Sequence, residues 1–204
     1  MGPTNNLENN DREDKEDRED KVDYGPLLGL LGIWEGDKGL DLSPEPEGSE
    51  ESPYYESIVF QGVGNAENAE SQLLAVLRYT QEVTRKSDNK VFHDQTGYWM
   101  WDAEQGIIMQ SIVIPRAVCV LAGGTYTNAS TEAPEIRFSV GAALDDPDWR
   151  IIQSPFMRDK ARTIRFRHEL ILAGKTLSYS ETTELEIYGR HFDHTDKNEL
   201  TLKK

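Results

Sequence analysis

The sequence predicts an all-β fold, a single antiparallel up-and-down β-barrel of about ten strands. Three observations predict it. About ten strand-like segments follow one another from residue 31 to the last residue. The connections between them are too short for helical crossovers, which favours antiparallel neighbours. No long helical pattern is available to cover a sheet face, so closing the sheet into a barrel is the simplest way to remove its edges.

The N-terminal part of the chain divides into two segments. Residues 1–23 are almost entirely charged or amide side chains and predict a disordered acidic tail. Such a segment cannot bury enough apolar surface to offset an ordering entropy of roughly 1–2 kcal/mol per residue. The barrel domain is therefore expected over residues 24–204. Residues 25–31 are apolar but broken by glycines, which predicts one or two helical turns that plug a barrel end.

Alternating side chains and turn residues place the strands. Residues 41–53 carry three prolines and five acids, and predict an irregular, solvated loop. Residues 145–161 predict a longer connection, and residues 127–134 a polar loop. The clearest hairpin has its turn at Gly174. The expected strands cover residues 31–37, 55–60, 72–83, 91–101, 107–114, 117–125, 135–141, 162–172, 176–188 and 200–204.

Composition excludes several classes of partner. The chain has 37 acidic and 22 basic residues, and a net charge of -15. Nucleic acids and anionic membranes are bound through Lys and Arg, so neither is expected as a partner. No apolar run approaches the ~20 residues of a membrane helix, and no secretory signal is visible, which predicts a cytoplasmic protein. The oligomeric state stays open between monomer and homodimer.

Familiar catalytic motifs are missing from the sequence. It contains no phosphate-binding Gly-rich loop followed by Lys, no Gly-x-Ser-x-Gly, no Cys-x-x-Cys and no His-Glu-x-x-His. The one cysteine, Cys119, cannot form an intrachain disulfide, and its apolar neighbours predict a small buried side chain. The four histidines are therefore the main candidates for chemistry: His93, His168, His191 and His194.

Five segments, in the same order, resemble those of the nitrobindin family. They are Leu-Gly-Ile-Trp-Glu-Gly-Asp-Lys-Gly at 31–39, Leu-Arg-Tyr-Thr-Gln at 77–81, Phe-His-Asp-Gln-Thr-Gly-Tyr-Trp at 92–99, Leu-Ala-Gly-Gly-Thr-Tyr at 121–126 and Leu-Ser-Tyr at 177–179. The resemblance implies a ten-stranded barrel, similar in outline to fatty-acid-binding proteins, that binds ferric haem b at its mouth. It further implies nitric-oxide binding and the isomerisation of peroxynitrite to nitrate, with one proximal histidine from the segment that enters the last strand.

The closing segment leaves two functions open. The family ends in His-Leu-x-Ala-x-Leu, and aligning Leu200 and Leu202 to it without gaps puts Lys197 at the position of the proximal histidine. Placing His194 there requires a gap of about three residues. The first hypothesis is a haem protein, a possible haem-dependent peroxynitrite isomerase. The alternative is a haem-free barrel of the same fold that binds another small apolar or amphipathic molecule without catalysis.

His194 is the first candidate for the axial ligand of iron. It precedes the predicted last strand, and Asp193 or Asp196 could hold its other ring nitrogen, as carboxylates do for many metal-bound histidines. The alternative is a capped loop in which these side chains bond the nearby backbone. His191 lies close enough in sequence to exchange roles with His194.

Three further residues are candidates for cofactor binding, and no catalytic residue is assigned. The resemblance places His93 near the pocket, on the distal side of an iron, unless it only bonds a strand neighbour. His168 shares an otherwise apolar strand face, which predicts an interior histidine that could line a cavity. Arg116 follows Pro115 and could pair with a haem propionate, unless it is only a surface turn residue.

Overall fold

The computed structural model describes residues 22–126 and 135–204. Residues 1–21 of the predicted tail and the predicted polar loop 127–134 lie outside the described residues. A 3₁₀ helix at Gly25–Leu30 is followed by eleven strands and one short α-helix. They are β1 Gly32–Glu45, β2 Gly48–Asn68, β3 Gln72–Arg85, β4 Val91–Asp102, β5 Ile107–Ile114, β6 Val118–Thr125, β7 Glu135–Ala143, β8 Ile151–Gln153, α1 Pro155–Lys160, β9 Ala161–Ala173, β10 Thr176–Ile187 and β11 Arg190–Leu202.

Ten of these strands form a closed antiparallel barrel, which confirms the predicted fold class. The hydrogen-bonded order is β5-β4-β3-β2-β1-β11-β10-β9-β7-β6, and a further pairing of β5 with β6 closes the cylinder. The eleventh strand, β8, adds to the outer part of β6 through three residue pairs. Strands that follow one another in sequence are mostly neighbours, as short antiparallel connections require.

The first strand meets the last one and is covered by the 3₁₀ helix. Trp34 on β1 pairs with Leu202 on β11, and its fully buried indole donates a 2.7 Å hydrogen bond to the carbonyl of Leu30. Leu27 and Leu30 of the 3₁₀ helix are fully buried in the core. The predicted plug at one barrel end is therefore confirmed, and the opposite end is left for a cavity.

The predicted loop at 41–53 is wrong, because these residues form the outer half of the β1–β2 hairpin, with a two-residue turn at 46–47. Pro44 and Pro53 are tolerated because each lies where one neighbouring strand has ended, and Pro46 lies in the turn. Strand β11 pairs with β1 only as far as Leu42, before Pro44. Strand β3 pairs with β2 only from Tyr54, after Pro53. Proline fits such edge positions since it has no N–H to donate on the open side.

The last strand is longer than predicted and begins at Arg190 instead of residue 200. Residues 191–196 alternate between the two faces of this strand, so the predicted capped loop around His194 is wrong. The sequence did not indicate the first part of this strand, because its charged side chains give no alternating apolar pattern. The predicted connection at 145–161 also contains structure, namely β8 and α1, whose first turn is capped by the Ser154 side chain.

Two further observations concern Cys119 and the helices. Cys119 is exposed, contrary to the prediction, because β6 turns Val118 and Val120 inward and the residue between them outward. Within residues 22–126 and 135–204, neither helix has the length and apolar character that crossing a membrane would require.

The barrel wall splays where β1 meets β11. The β1–β11 pairing ends at Leu42 and Thr195, whereas the β1–β2 and β10–β11 hairpins both continue beyond it. Arg190 spans the gap between the two hairpin tips by donating hydrogen bonds to the carbonyls of Glu45 and Gly48. This splayed edge lies directly beside the residues of the site described next.

Candidate functional site

A cavity of about 770 Å³ occupies the end of the barrel opposite the 3₁₀ helix. Its volume is in the range of pockets that hold small molecules and cofactors. Much of its wall is apolar, and one side of it is ionisable. The apolar lining includes Phe92, Ile112, Ile114, Val118, Val120, Phe156, Met157, Phe166, Leu185 and Ile187.

Three carboxyl side chains form a row across three neighbouring strands of the cavity wall. Asp41 on β1 lies directly opposite Asp196 on β11, which in turn lies opposite Glu181 on β10. All three line the cavity. Residues opposite each other in a sheet have Cβ atoms about 4.5–5.5 Å apart, and like charges at that separation repel. The row is therefore a local concentration of acid that needs protons or cations for its stability.

His194 supplies a cation to this acidic row. Its Nε2 lies 2.6 Å from Oδ1 of Asp41 and 3.4 Å from Oδ2 of Asp196. Burial opposes protonation of the imidazole, but the hydrogen bond that His194 donates to Asp41 and the charges of both carboxylates outweigh it and raise the pKa of His194. His194 lines the cavity, and the carboxylates that hold it are Asp41 and Asp196, with Asp193 on the exposed side of the strand.

His194 lowers the pKa of both aspartates, but their net pKa shifts are opposite. Burial alone would raise the pKa of Asp41. The hydrogen bond from His194 and the imidazolium charge lower it by more than this, so the net shift is downward and Asp41 is ionised. The pKa of Asp196 is raised, first by burial and then by the charges of Glu181 and Asp41. One imidazole nitrogen and two carboxylate oxygens lie here within 4.8 Å of one another, a donor set that could also hold a divalent cation.

Two more carboxyl groups inside the barrel hold protons unusually tightly. Burial, followed by the charge of Glu56, raises the pKa of Glu181 to about 8. Burial raises the pKa of Glu56 to about 7, although Asn198, Tyr179 and Gln81 all bond its carboxyl group. The interior of the barrel thus holds a polar network around Glu56 as well as its apolar core.

His93 lines the same cavity from strand β4, as predicted, and its surroundings fix its tautomer. The Gln95 amide nitrogen donates to the Tyr79 hydroxyl at 2.7 Å, so Gln95 Oε1 faces His93 Nε2 at 3.1 Å. Nε2 must then carry the proton, and Nδ1 keeps a free lone pair. Burial lowers the pKa of His93, and the positive charges of Arg116 and His194 lower it further.

His168 is an interior histidine, as predicted, but it is not among the residues that line the cavity. Only 6% of its surface is exposed, and its ring packs against Trp99, Phe166 and Tyr179. Its Nδ1 contacts Gln110 Oε1 at 2.9 Å, while Nε2 is buried with no partner among the described residues. Burial lowers the pKa of His168 to about 4, so this histidine is neutral.

Two guanidinium groups lie at the cavity. Arg116 lines it from the turn between β5 and β6, so it is both a surface turn residue and a candidate for ligand contact. Arg85 also lines it, with its guanidinium 4.9 Å above the ring of Phe92. Its Nε is buried and finds no hydrogen-bond partner among the described residues. Both groups are suited to bind carboxylates of a ligand.

The other terminal residues considered as ligands lie outside the cavity. Lys197 is exposed, because the strand alternation that turns His194, Asp196 and Asn198 inward turns it outward. A ligand at the position given by the gapless alignment would thus be on the outer surface. The side chain of His191 is 79% exposed and lies 3.6 Å from Glu186, so it cannot replace His194.

Sequence reasoning missed three of the charged residues in the site. Asp41 was assigned to a solvated loop, Glu181 lay within the predicted strand 176–188 without being singled out, and Arg85 followed the predicted strand 72–83. The register of β1, β11 and β10 would have revealed the acidic row, but register follows from pairing partners that the linear pattern does not identify. For Arg85, no feature of the sequence indicated its role.

Comparison with known proteins identifies the family of this chain. A family model described as "THAP4-like, heme-binding beta-barrel domain" matches residues 23–202, nearly the whole described chain. The chain belongs to this family. The nitrobindin resemblance found in the sequence is thereby confirmed. The THAP4-like family is named for haem binding.

A solved structure supports the fold of this THAP4-like barrel. The crystal structure of Rv2717c from M. tuberculosis superposes with a TM-score of 0.67 at 22% sequence identity, and covers 90% of this chain and 100% of that one. At this identity the likeness concerns the fold alone. No curated protein matches the sequence.

Proposed function

We propose that this barrel binds haem b in the cavity beside His93 and His194. The observation that supports this most is the composition of the cavity wall, which combines a large apolar surface with imidazole groups and two guanidiniums. A porphyrin needs the apolar surface for its ring and cations for its two propionates. The buried, unpartnered Nε of Arg85 and the nearby Arg116 fit the propionates, and a neutral imidazole fits the iron.

The proposed activity is a reaction with nitrogen oxides, with peroxynitrite isomerisation to nitrate as the case that family resemblance favours. Bound haem would supply a Lewis-acidic and redox-active iron. The chain's own contribution is to exclude water through the apolar wall and to keep the imidazole of His194 protonated. Nε2 donates to Asp41, so the proton on Nδ1 is the one that His194 would offer to an anionic oxygen in the cavity.

A haemin titration of the full chain, prepared without haem, tests this proposal. We expect a saturable one-to-one shift of the Soret band. A double variant, Arg85→Ala with Arg116→Ala, should weaken binding because both propionate partners are lost. Arg137→Ala with Arg158→Ala is a matched control, since these two side chains are exposed and pair with nearby acids outside the cavity. Absence of a saturable shift in the unaltered chain would contradict haem binding.

A second candidate function is favoured by the acidic row. Asp41, Asp196 and Glu181 line the cavity, and Asp196 and Glu181 hold protons that a bound cation could replace, which suits an amphipathic molecule with a cationic head group. In this case the barrel is haem-free and performs no catalysis. Competition between a cationic and an anionic fluorescent amphiphile tests it. Preference for the cationic probe, lost in Glu181→Gln, is the expected result, and preference for the anionic probe would refute it.

A further inference from the structure

Three neighbouring strands of the barrel carry no charged residue. Strands β5, β6 and β8 contain no Asp, Glu, Lys or Arg, in a chain in which 29% of the residues are charged. Each of the other eight strands contains at least one charged residue. The three strands are adjacent, because β5 and β8 both pair with β6. Charge is therefore missing from one continuous part of the barrel wall.

The outward side chains of these strands, together with Tyr98 of β4, form an exposed surface that we name the uncharged face. Cys119 lies at its centre, directly opposite Val113 on β5 and Ile152 on β8. Leu121 is the next outward side chain on β6. All five side chains are exposed, and Ile152 is 71% exposed. Single exposed apolar residues are common on soluble proteins, but a contiguous group of them marks a contact surface.

The uncharged face is large enough to form the centre of a protein interface. Four strands about 4.8 Å apart, each contributing about six residues of about 3.3 Å, cover roughly 400 Å² in projection. A standard interface buries about 800 Å² on each partner, with an apolar centre and a polar rim. Asp94, Arg116 and Arg150 are exposed charged residues at the border of the face and can supply such a rim.

The charge of the molecule favours a second copy of this chain as the occupant of the face. Each copy has a net charge of -15, so two copies repel one another over most of their surfaces. The uncharged face is where two copies can meet without bringing acidic groups together. A basic partner would instead be attracted to the acidic surfaces, because a face without charge offers it no complementary groups.

We propose that the chain forms a two-fold symmetric homodimer through the uncharged face, with Cys119 of each copy close to the symmetry axis. A two-fold contact buries the same patch on both copies, so one apolar surface is sufficient to form it. Cys119 is placed at the axis because it has an apolar neighbour on each side. The side chains of the face point away from the cavity, so this proposal is independent of the proposed function.

Sedimentation velocity of the full chain across a series of protein concentrations tests the dimer. We expect Ile152→Glu to weaken association roughly tenfold or more, because each interface would then bury a charge without a partner. Val63→Glu is the matched control, since Val63 is 57% exposed on β2, outside the face, and the variant adds the same charge. A monomer at every concentration, or equal weakening by both variants, would overturn the proposal.

Cys119 provides a second measurement of the same interface. It is the only cysteine of the chain, so a short bismaleimide can join two chains only through this residue. We expect a cross-linked dimer from the unaltered chain and much less of it from Ile152→Glu. Cys119→Ser should not cross-link but should still sediment as a dimer. A dimer that forms without cross-linking would place the interface on another face and overturn the proposal. Circular dichroism of each variant confirms that the barrel is folded.

Discussion

Glu56 is a buried carboxyl group that three side chains contact from three different strands. Its Oε atoms accept hydrogen bonds from Gln81 at 2.7 Å, Tyr179 at 2.9 Å and Asn198 at 2.7 Å. These bonds favour the ionised form, yet burial outweighs them and raises the pKa to about 7 from a model-compound value of 4.5. A carboxyl group in this position makes the stability of the barrel depend on pH.

The sign of that dependence follows from the direction of the shift. The folded state binds the Glu56 proton more tightly than the unfolded state, so this contribution is complete below about pH 4.5 and is lost as pH rises through about 7. Its full size is of the order of 3 kcal/mol. Glu56→Gln should reduce this slope, and Glu181, whose pKa is about 8, should account for part of what remains. Urea unfolding at pH 4.5, 6 and 8 measures it, and an unchanged slope in the variant would contradict the burial effect.

His194 provides a second prediction at this scale. Asp41 holds the imidazole by a hydrogen bond and by its charge, so Asp41→Asn should lower the pKa of His194. The NMR titration of the imidazole protons measures the change. Asp193→Asn is the control, because that exposed side chain is on the outer face of the same strand and should leave the titration as it was. Equal effects of both variants would refute the specific role of Asp41.

At the scale of elements, hairpin β4–β5 depends on close backbone approach at Gly97. A Cβ added there would lie 1.9 Å from the carbonyl oxygen of Ser111, an impossible contact that requires the strands to separate. We expect Gly97→Ala to destabilise the barrel by about 3 kcal/mol or more. Gly48→Ala at the β1–β2 turn is the comparison. A Cβ added at Gly48 would meet nothing within 4 Å. The only cost is that an L residue must adopt a φ of 123°, which is about 1–2 kcal/mol.

Denaturant unfolding of the two variants ranks these costs. A smaller loss for Gly97→Ala than for Gly48→Ala would show that strands β4 and β5 can separate locally, contrary to the tight packing described.

Elements with an alternating apolar pattern could be predicted from the sequence, and charged ones could not. Strands β4, β5, β9 and β10 were predicted within a few residues, because inward-facing apolar side chains and a turn residue such as Gly174 determine them. The first half of β11 was missed since its inward residues are His194 and Asp196. A polar cavity wall removes the very pattern that identifies a strand, so the candidate site was the part least visible in the sequence.

At the scale of the whole molecule, ligand binding and folding are linked. A molecule that binds only the closed barrel stabilises it by about 2.7 kcal/mol when its free concentration is 100 times its Kd. We expect saturating haemin to raise the melting temperature by several degrees, and to do so less in the Arg85→Ala, Arg116→Ala double variant. Differential scanning calorimetry measures this. An equal increase in both proteins would indicate binding outside the cavity.

The closure of the barrel was predictable at this scale, whereas its polar interior was not. Ten consecutive short-linked strands admit few arrangements, and the burial of Trp34 between both ends of the chain supports the closed one. The surroundings of the cavity histidines depend on hydrogen bonds that join distant segments, such as the one from His194 to Asp41. Such pairs become visible only when the register of the strands is known.

The splayed edge between the tips of the β1–β2 and β10–β11 hairpins has a consequence for kinetics. Backbone pairing joins β1 to β11 as far as Leu42 and Thr195, and beyond them the side chain of Arg190 joins the two tips. Arg190 is exposed and is not part of the cavity wall. If a ligand enters through this edge, we expect Arg190→Ala to change its exchange rate more than its affinity.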